Sequence, residues 1–271
     1  MRVTLLGHAS VLVELAGAPC LMDPVFFDPF EEGAVVSCPQ RTTHPERLPA
    51  IDILIVSHRH PDHFDIPSLA RVPRDCEAIC PADPRIVYAL RRLGCERIHP
   101  VHAMGEIRGS DFELFPTASE VTSVREFGMV FHDSSGTFWN QVDSFLSDAT
   151  ITAVRRRYGQ VDLMFAKYAS QNFDFFDSLG VRFPHATHRA NLETVLRIGP
   201  GMAVPGSAGF RFCGDHAWLN AHLFPVSRER FVADLARLNP ELVTQIVNPG
   251  DVLELAEDRV RCHVAASPLA A

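Results

Sequence analysis

The pattern of apolar and polar positions predicts short strands first and, later in the chain, strands separated by helices. Residues 51–57 are a near-continuous run rich in β-branched side chains, which is typical of a strand buried on both faces. Other apolar runs bounded by turn residues predict strands at 2–6, 10–15, 19–22, 97–101, 111–116, 128–133, 161–166 and 202–205. Two sheets with helices outside them would accommodate this order.

Helix-starting and helix-ending residues mark the helical segments. Asp83 followed by Pro84 provides a capping carboxylate and a proline in the first turn, and Gly94 ends that helix. Helical patterns also cover residues near 140–157 and 191–198, and Ser227 caps a last helix that ends at Asn239. Because no repeat or long linker divides the chain, we expect a single domain over residues 1–271.

Composition and charge exclude several classes of protein. Hydrophobic residues make up 46% of the chain and charged residues 21%, which is ordinary for a soluble enzyme. The charge sum is 25 − 33 = −8, so we expect no nucleic-acid partner. No apolar run reaches the ~20 residues that span a bilayer, and no signal-peptide pattern is found, so we expect a cytoplasmic protein without membrane partners. The seven cysteines have no Cys-x-x-Cys pair, which disfavours a thiolate zinc site.

A dense group of metal-ligand residues follows the predicted buried strand. The sequence there is Ser57-His58-Arg59-His60-Pro61-Asp62-His63. His58 and His60 are two residues apart, so in an extended backbone they project to the same side and can hold one ion. Asp62 and His63 follow the turn at Pro61 and can hold a second ion. Imidazoles with carboxylates suit zinc or a first-row transition metal, so the sequence predicts a metal site.

The motif His58-x-His60-x-Asp62-His63 resembles the signature of the metallo-β-lactamase superfamily. This resemblance implies an α/β (α+β) fold, namely an αββα four-layer sandwich with a dinuclear metal site at one edge. Residues 6–12 and 21–24 are similar to the opening strands of its ascorbate-phosphate-lactonase-like branch. That similarity implies that His8 and Asp23 lie beside the metals without binding them directly.

Two departures from the hydrolases of this superfamily favour iron. The hydrolases supply a third histidine to the first metal, but residues 116–122 contain Glu120 and no histidine. The late strand that usually ends in a histidine also lacks one, at residues 203–207. Replacing an imidazole with a carboxylate adds hard oxygen, which stabilises higher oxidation states of iron, whereas zinc has no redox chemistry.

Glu120 followed by Asp133-Ser134-Ser135-Gly136 is similar to the di-iron β-hydroxylase of chloramphenicol biosynthesis, and residues 206–220 are similar to the non-Rieske domain of CMP-N-acetylneuraminate hydroxylase. These resemblances imply the following ligands: His58, His60 and Glu120 for one iron, Asp62 and His63 for the other, and Asp133 as the bridge. The second iron would need another nitrogen, for which we choose His216, with His188 and His185 as alternatives. We prefer His188 as a substrate-side residue, as in related phospholipases.

One further residue is weighed against the site. Lys167 is the only lysine beside 24 arginines, and it follows an apolar strand from which it could reach the metals. Since lysine is rarely buried, we expect it to be solvated.

Three functions remain open at this stage, and we rank them as follows. The first is a non-haem di-iron oxygenase that hydroxylates or N-oxidises a small substrate, with O₂ as co-substrate and a separate reductase as electron donor. The alternative is a dizinc or dimanganese hydrolase of the lactonase, phosphodiesterase or amidase type, in which the metals activate water. The third is a non-catalytic metal or oxygen sensor.

Overall fold

The computed structural model describes residues 1–41, 44–169, 172, 183–206, 209–256 and 259–264. Its first sheet contains the strands β1 Arg2–Gly7, β2 Ser10–Leu15, β3 Ala18–Met22, β5 Ile53–Ile55, β6 Glu77–Pro81, β7 Ile98–Val101, β16 Val252–Ala256 and β17 Arg259–His263. The strand order is β17-β16-β1-β2-β3-β5-β6-β7. Hairpins make one half of this sheet antiparallel, and β3, β5, β6 and β7 are parallel.

The second sheet contains the strands β8 Ile107–Arg108, β9 Phe112–Ala118, β10 Phe127–Asp133, β11 Gly136–Asn140, β12 Leu163–Lys167, β13 Met202–Gly206 and β15 Val243–Thr244. Its order is β15-β13-β12-β11-β10-β9-β8, antiparallel from β8 to β11 and parallel from β11 to β15. A separate two-stranded ribbon pairs β4 Val35–Ser37 with β14 Phe210–Phe212.

Helices cover the outer faces of both sheets. The α-helices are α1 Ile66–Leu69, α2 Pro84–Arg92, α3 Asp148–Tyr158, α4 His185–Ile198, α5 Asn220–Leu223 and α6 Arg228–Leu238, and short 3₁₀ helices cover Pro45–Arg47 and Gly214–Leu219. As predicted, Asp83 caps α2 by accepting from the amide of Arg85, and Ser227 caps α6 by accepting from the amide of Arg230. No helix in the described part of the chain is long and apolar enough to cross a bilayer.

Three hydrophobic clusters show how the layers pack. The central cluster lies between the sheets and includes Met22, Phe131 and Phe165. A second cluster joins the outer face of the first sheet to α1 and α2, around Leu54 and Leu90. A third joins the outer face of the second sheet to α3, α4 and α6. The order is therefore helix, sheet, sheet, helix, which confirms the predicted αββα sandwich.

The strand directions bring several chain segments to one edge of the sandwich. The carboxyl ends of the parallel strands β3 and β5 in the first sheet meet there, as do those of β11, β12 and β13 in the second. The turn between β1 and β2 lies at the same edge, because β2 is antiparallel to β3. The amide of Phe127 donates to the carbonyl of Ser57 over 3.3 Å, which joins the two sheets at this edge.

The sequence analysis missed three strands and placed one helix too early. Residues 136–140, predicted to lead into a helix, form β11, and that helix begins only at Asp148. β11 lies between β10 and β12 with Phe138 and Trp139 fully buried on its two faces, so its strand character depends on tertiary packing. The strands β16 and β17 follow the helix that was predicted to be the last element.

Candidate metal centre

The loop after β5 folds its ligand-type side chains into one corner of the sandwich edge. His58 and His63 are completely buried, and His60 is exposed to the adjoining cavity. Two groups of three ligand atoms result, each with all atoms within 4.8 Å of one another: His58, His60 and Asp143 form one, and His8, Asp62 and His63 form the other. The structure therefore brings together all four predicted residues of the loop.

Asp143 lies between the two groups. Its Oδ2 is 3.5 Å from Nε2 of His63 and 3.9 Å from Nε2 of His58. Oδ2 of Asp62 is also 3.5 Å from Nε2 of His63. One carboxylate close to a histidine of each group has the placement required to bridge two metal ions.

Hydrogen bonds fix which nitrogen of each histidine faces the centre. The hydroxyl of Ser57 donates to Asp23 over 2.6 Å, so its oxygen accepts from Nδ1 of His58 at 2.9 Å. Nδ1 of His63 donates to Asp23 over 2.9 Å, and Asp23 also accepts from the amide of Ser57 over 2.7 Å. When His58 and His63 are neutral, their protons are held on Nδ1 and the lone pairs of Nε2 face the centre.

Those two Nε2 atoms are buried and have no hydrogen-bond partner in the described structure. Leaving one such atom unsatisfied costs about 1–3 kcal/mol, and coordination to a metal would remove that cost. The donor set of imidazole nitrogen and carboxylate oxygen also matches the preferences of zinc and first-row transition metals. The residues present therefore fit a pair of metal ions.

His8 joins the second group from the turn between β1 and β2. Its Nε2 is 3.1 Å from Oδ2 of Asp62, and its ring contacts those of Phe30, His63 and Phe210 at centroid distances of 5.3–6.0 Å. This position suits either a hydrogen bond that orients Asp62 or direct coordination. The additional nitrogen that the sequence analysis sought elsewhere is thus available from His8.

Backbone strain is concentrated around the centre. His8, Asp23, Glu31 and Val142 have positive φ angles of 47°, 48°, 49° and 54°, which side chains other than glycine rarely adopt. Two of them carry groups of the centre, Glu31 lines the adjoining cavity, and Val142 precedes Asp143. Such conformations cost of order 1–3 kcal/mol each and cluster at functional sites.

The centre has a strongly negative environment. Burial alone would raise the pKa of Asp62, but His63 and His8 outweigh it and lower that pKa to about 2. Burial likewise opposes a charge on His63, but Asp62 and Asp143 raise its pKa well above the usual value. The pKa of His58 falls to about 3 because the residue is buried and lies beside His63. A cation is therefore favoured at this position, either a proton on His63 or a metal that displaces it.

A cavity of about 660 Å³ opens directly beside the two groups. Its polar wall contains His60, Asp62, Asp143, Glu126 and Lys167. Its apolar wall contains the aromatic side chains of Phe145, Tyr168, Phe210, Phe212 and Phe224. The last three pack on one another with ring centroids 5.3–6.3 Å apart. The ligand groups thus face a space that is polar on one side and aromatic on the other.

With this geometry established, comparisons with known proteins identify the family. The sequence model of the β-lactamase superfamily domain matches residues 21–206, more than half of the chain. The chain belongs to the β-lactamase superfamily. An uncharacterized protein of Mycobacterium tuberculosis is 38% identical over 267 residues, which covers 91% of this chain and 66% of that relative. The chain therefore spans about two thirds of the length of that relative.

Other relatives of this superfamily member differ in activity. The N-acyl-phosphatidylethanolamine-hydrolyzing phospholipase D 1 of Caenorhabditis elegans is 40% identical over 73 residues, covering 26% of this chain and 20% of that enzyme. The isothiocyanate hydrolase from Delia radicum gut bacteria superimposes with a TM-score of 0.69 at 16% identity, over 94% of this chain and all of that one. CmlA, a di-iron β-hydroxylase from Streptomyces venezuelae, gives a TM-score of 0.64 at 19% identity, over 97% and 54%. At these identities the two structures show a common metallo-β-lactamase fold.

Asp133, predicted as the bridging carboxylate of this β-lactamase superfamily chain, is at the opposite end of the sandwich. It ends β10, whose first residue Phe127 lies near the centre, so the six residues between them separate it by about 20 Å at ~3.4 Å per residue. There it accepts from the amides of Ala16 and Ser135 in neighbouring turns. The bridging position is instead occupied by Asp143, because β11 returns the chain to the metal edge. This placement corrects the sequence-based assignment.

Glu120 is close in sequence to the expected ligand position but points elsewhere. It is exposed, its amide donates to the carbonyl of Phe145 over 2.8 Å, and it lines a separate depression against α4. Among the described residues, it belongs to neither metal-ligand group. The carboxylate that this loop places in the cavity is Glu126, whose Oε1 accepts from the hydroxyl of Ser119 over 2.5 Å.

The three candidate histidines of the C-terminal half are also outside the two groups. His188 is buried, and its Nε2 is 3.0 Å from Asp234, so it joins α4 to α6, and its neighbour Thr187 lines the cavity instead. His185 is exposed and packs on Phe183. His216 is exposed on the 3₁₀ helix Gly214–Leu219. In the segment 206–220, residues 207 and 208 lie outside the described residues.

Two predictions about individual residues have clear outcomes. Asp23 lies beside the centre and orients His58, through Ser57, and His63, as the family resemblance implied. Lys167, expected to be solvated, is partly buried and lines the cavity, which corrects that expectation. Its Nζ donates to the carbonyl of Asp143 over 2.5 Å and lies 3.8 Å from the centroid of the Phe145 ring.

Proposed function

We propose that this chain is a dinuclear metal-dependent hydrolase whose substrate carries an apolar group. The observation that carries the proposal is the pair of adjacent ligand groups linked by Asp143, with the unpartnered Nε2 atoms of His58 and His63 directed at them. His58, His60 and Asp143 would hold one ion, and His8, Asp62 and His63 the other. Three protein ligands for each ion is the number typical of catalytic zinc sites, which keep a position open for water.

The chemistry of the ligand set favours hydrolysis over oxygen activation. Two bound divalent ions supply a water of lowered pKa and polarise the bond to be cleaved. The oxygenase hypothesis depended on Glu120 as an additional carboxylate ligand, and that side chain faces another part of the surface. Two relatives with printed activities, the isothiocyanate hydrolase and the phospholipase D, are hydrolases. Their substrates differ chemically, so neither defines the substrate of this chain.

The residues around the centre supply orientation and shape. Asp23 and Ser57 hold the two buried histidines in the form that binds metal. The aromatic wall formed by Phe210, Phe212 and Phe224 would pack against the apolar part of a substrate and exclude water from it. A scissile bond next to that apolar part would then lie over His60 and Asp143, on the polar wall.

A di-iron oxygenase is the second candidate, and one observation favours it. Glu126 lines the same cavity as His60 and Asp143, and its carboxyl is close enough for both residues to affect its pKa. Rotation of this side chain toward the first group would add the hard oxygen ligand that iron prefers. This function would require O₂ and electrons from a separate reductase.

Metal analysis combined with a substrate screen tests the two candidates. The protein would be expressed with zinc, manganese and enriched iron available, purified without chelators, and examined by elemental analysis and Mössbauer spectroscopy. Hydrolysis of aryl and acyl esters, lactones, amides and phosphodiesters would be measured without O₂, and O₂ consumption with a chemical reductant would be measured separately.

His60→Ala and His99→Ala form a matched pair, because both histidines are exposed but only His60 belongs to a ligand group. We expect two zinc or manganese ions per chain and a hydrolytic activity that His60→Ala lowers by about 100-fold or more, while His99→Ala retains it. Two coupled irons that persist in the presence of zinc, with O₂ consumption and no hydrolysis, would contradict the proposal and favour the oxygenase.

A further inference from the structure

Lys167 has an unusual position for a lysine. It is the last residue of β12, where its amide donates to Oε1 of Gln141 over 3.0 Å. Its ammonium group donates to the carbonyl of Asp143 over 2.5 Å and lies 3.8 Å from the ring centroid of Phe145. These contacts hold one positive charge at a defined place on the cavity wall, next to the backbone of the proposed bridging ligand.

This charge lacks a carboxylate partner in the described part of the chain, since no Asp or Glu oxygen there lies within 4.0 Å of its nitrogen. Partly buried cations are normally paired, because burial without a partner is costly. Burial lowers the pKa of Lys167, while Asp143 and Glu126 act in the opposite direction. An ammonium has three donors, and one of them is used by the carbonyl of Asp143.

The surroundings of Lys167 indicate what a partner would look like. The residue lines the same cavity as the metal-ligand groups, and the aromatic wall of Phe210, Phe212 and Phe224 belongs to that cavity too. A ligand that reaches both Lys167 and this wall needs an anionic end and an apolar body. Glu126 and Asp143 lie near the ammonium and would repel a doubly charged phosphate more strongly than a singly charged carboxylate.

We propose that Lys167 binds a carboxylate of the substrate, so that the substrate of this centre is a carboxylic acid with an aromatic or aliphatic body. This inference rests on the proposed hydrolase function, and it makes Lys167 a residue that determines specificity. The carboxylate would occupy a free donor of the ammonium group and fix the distance between the anionic end and the bond over the metals. The apolar body would pack on the aromatic wall.

Binding of a matched pair of small probes tests this proposal without requiring turnover. The probes are 3-phenylpropionate and its neutral amide, 3-phenylpropanamide, titrated calorimetrically into metal-loaded protein. The variants are Lys167→Met, Lys167→Arg and the control Arg92→Met, which removes one positive charge from the exposed side of α2. Metal content and thermal unfolding of each variant are measured in parallel, so that a folding defect is recognised.

We expect the wild type and Arg92→Met to bind the carboxylate at least about tenfold more tightly than the amide, as for a hydrogen bond to a charged group. Lys167→Met should lose this preference while binding the amide and both metals normally, and Lys167→Arg should retain part of it. If Lys167→Met keeps the preference, the metals bind the carboxylate and the proposal is overturned. It is also overturned if the wild type binds both probes equally or neither. Failure of the hydrolase function would instead appear in the metal analysis and the substrate screen.

Discussion

Asp23→Asn is a sharp test of how the centre is oriented. Oδ1 of Asp23 accepts from the amide of Ser57, and Oδ2 accepts from both the hydroxyl of Ser57 and Nδ1 of His63, over 2.7, 2.6 and 2.9 Å. In the variant, the amide oxygen can keep the bond to the backbone of Ser57, which places an NH₂ group where Oδ2 was. That NH₂ group donates, so Nδ1 of His63 must accept and its proton moves to Nε2, which can then no longer bind a metal.

The expected effect is on metal affinity rather than on the fold. Asparagine tolerates the positive φ of 48° at this position, so the backbone should be retained. Loss of a partner that orients a ligand histidine typically costs 10–100-fold in metal affinity, or about 1.4–2.7 kcal/mol. We expect this loss at the group of His8, Asp62 and His63, and a smaller one at the group of His58, which is held through the hydroxyl of Ser57.

Competitive titration with a chromophoric chelator measures the two affinities separately, and thermal unfolding of the metal-free protein reports the fold. Asp52→Asn is the matched control, because Asp52 is an exposed aspartate immediately before β5, outside both ligand groups. If Asp23→Asn binds two metals as tightly as Asp52→Asn does, the proton on His63 is not controlled by Asp23 and the orientation argument is refuted.

Three further predictions concern the bridge, a buried carboxyl and the core. Asp143→Asn should reduce bound metal from two ions per chain to at most one by elemental analysis, while Asp133→Asn should leave two; equal losses would refute the assignment of Asp143. Glu31 has a pKa raised from 4.5 to about 7 by burial, then by Asp62, so its protonated form stabilises the metal-free fold and that contribution disappears as pH rises from 4.5 to 7. In urea unfolding with chelator, Glu31→Gln should therefore become more stable relative to wild type over that range and Glu32→Gln should not; parallel pH profiles for the two variants would contradict this. Phe138→Ala should lower the free energy of unfolding by about 3–5 kcal/mol in urea, because it empties a fully buried site between the sheets; a loss below about 1 kcal/mol would mean that the core closes around the gap.

The metal loop could be predicted from the sequence because its signal is local. His58, His60, Asp62 and His63 lie within six residues after an apolar run, and the structure places them in two groups at the end of β5. Strand and helix boundaries in the N-terminal half were also close to prediction, since hydrophobic periodicity and capping residues act over a few neighbours.

The bridging carboxylate could not be found in the same way. Its position depends on β11, a strand that exists because it is packed and paired between β10 and β12. Without β11, the end of β10 was taken as the metal edge and Asp133 as the bridge. Once the hairpin is recognised, the chain reverses direction and Asp143 reaches that edge. Glu120 and Glu126 illustrate the same limit, because which of them faces the cavity is decided by the path of an irregular loop.

The two sheets share the centre, and this affects how the protein would respond to its surroundings. Asp143 follows a strand of the second sheet, the other ligand-type residues belong to the first, and the bond between Phe127 and Ser57 is made at the same edge. An ion held there would bind only when the sheets are assembled, so its concentration in the medium would become a variable of the folding equilibrium. Above the dissociation constant, each tenfold rise in free metal would add about 1.4 kcal/mol per occupied site to the free energy of unfolding. Cells grown in metal-poor and metal-rich media would accordingly contain the same sequence with different lifetimes.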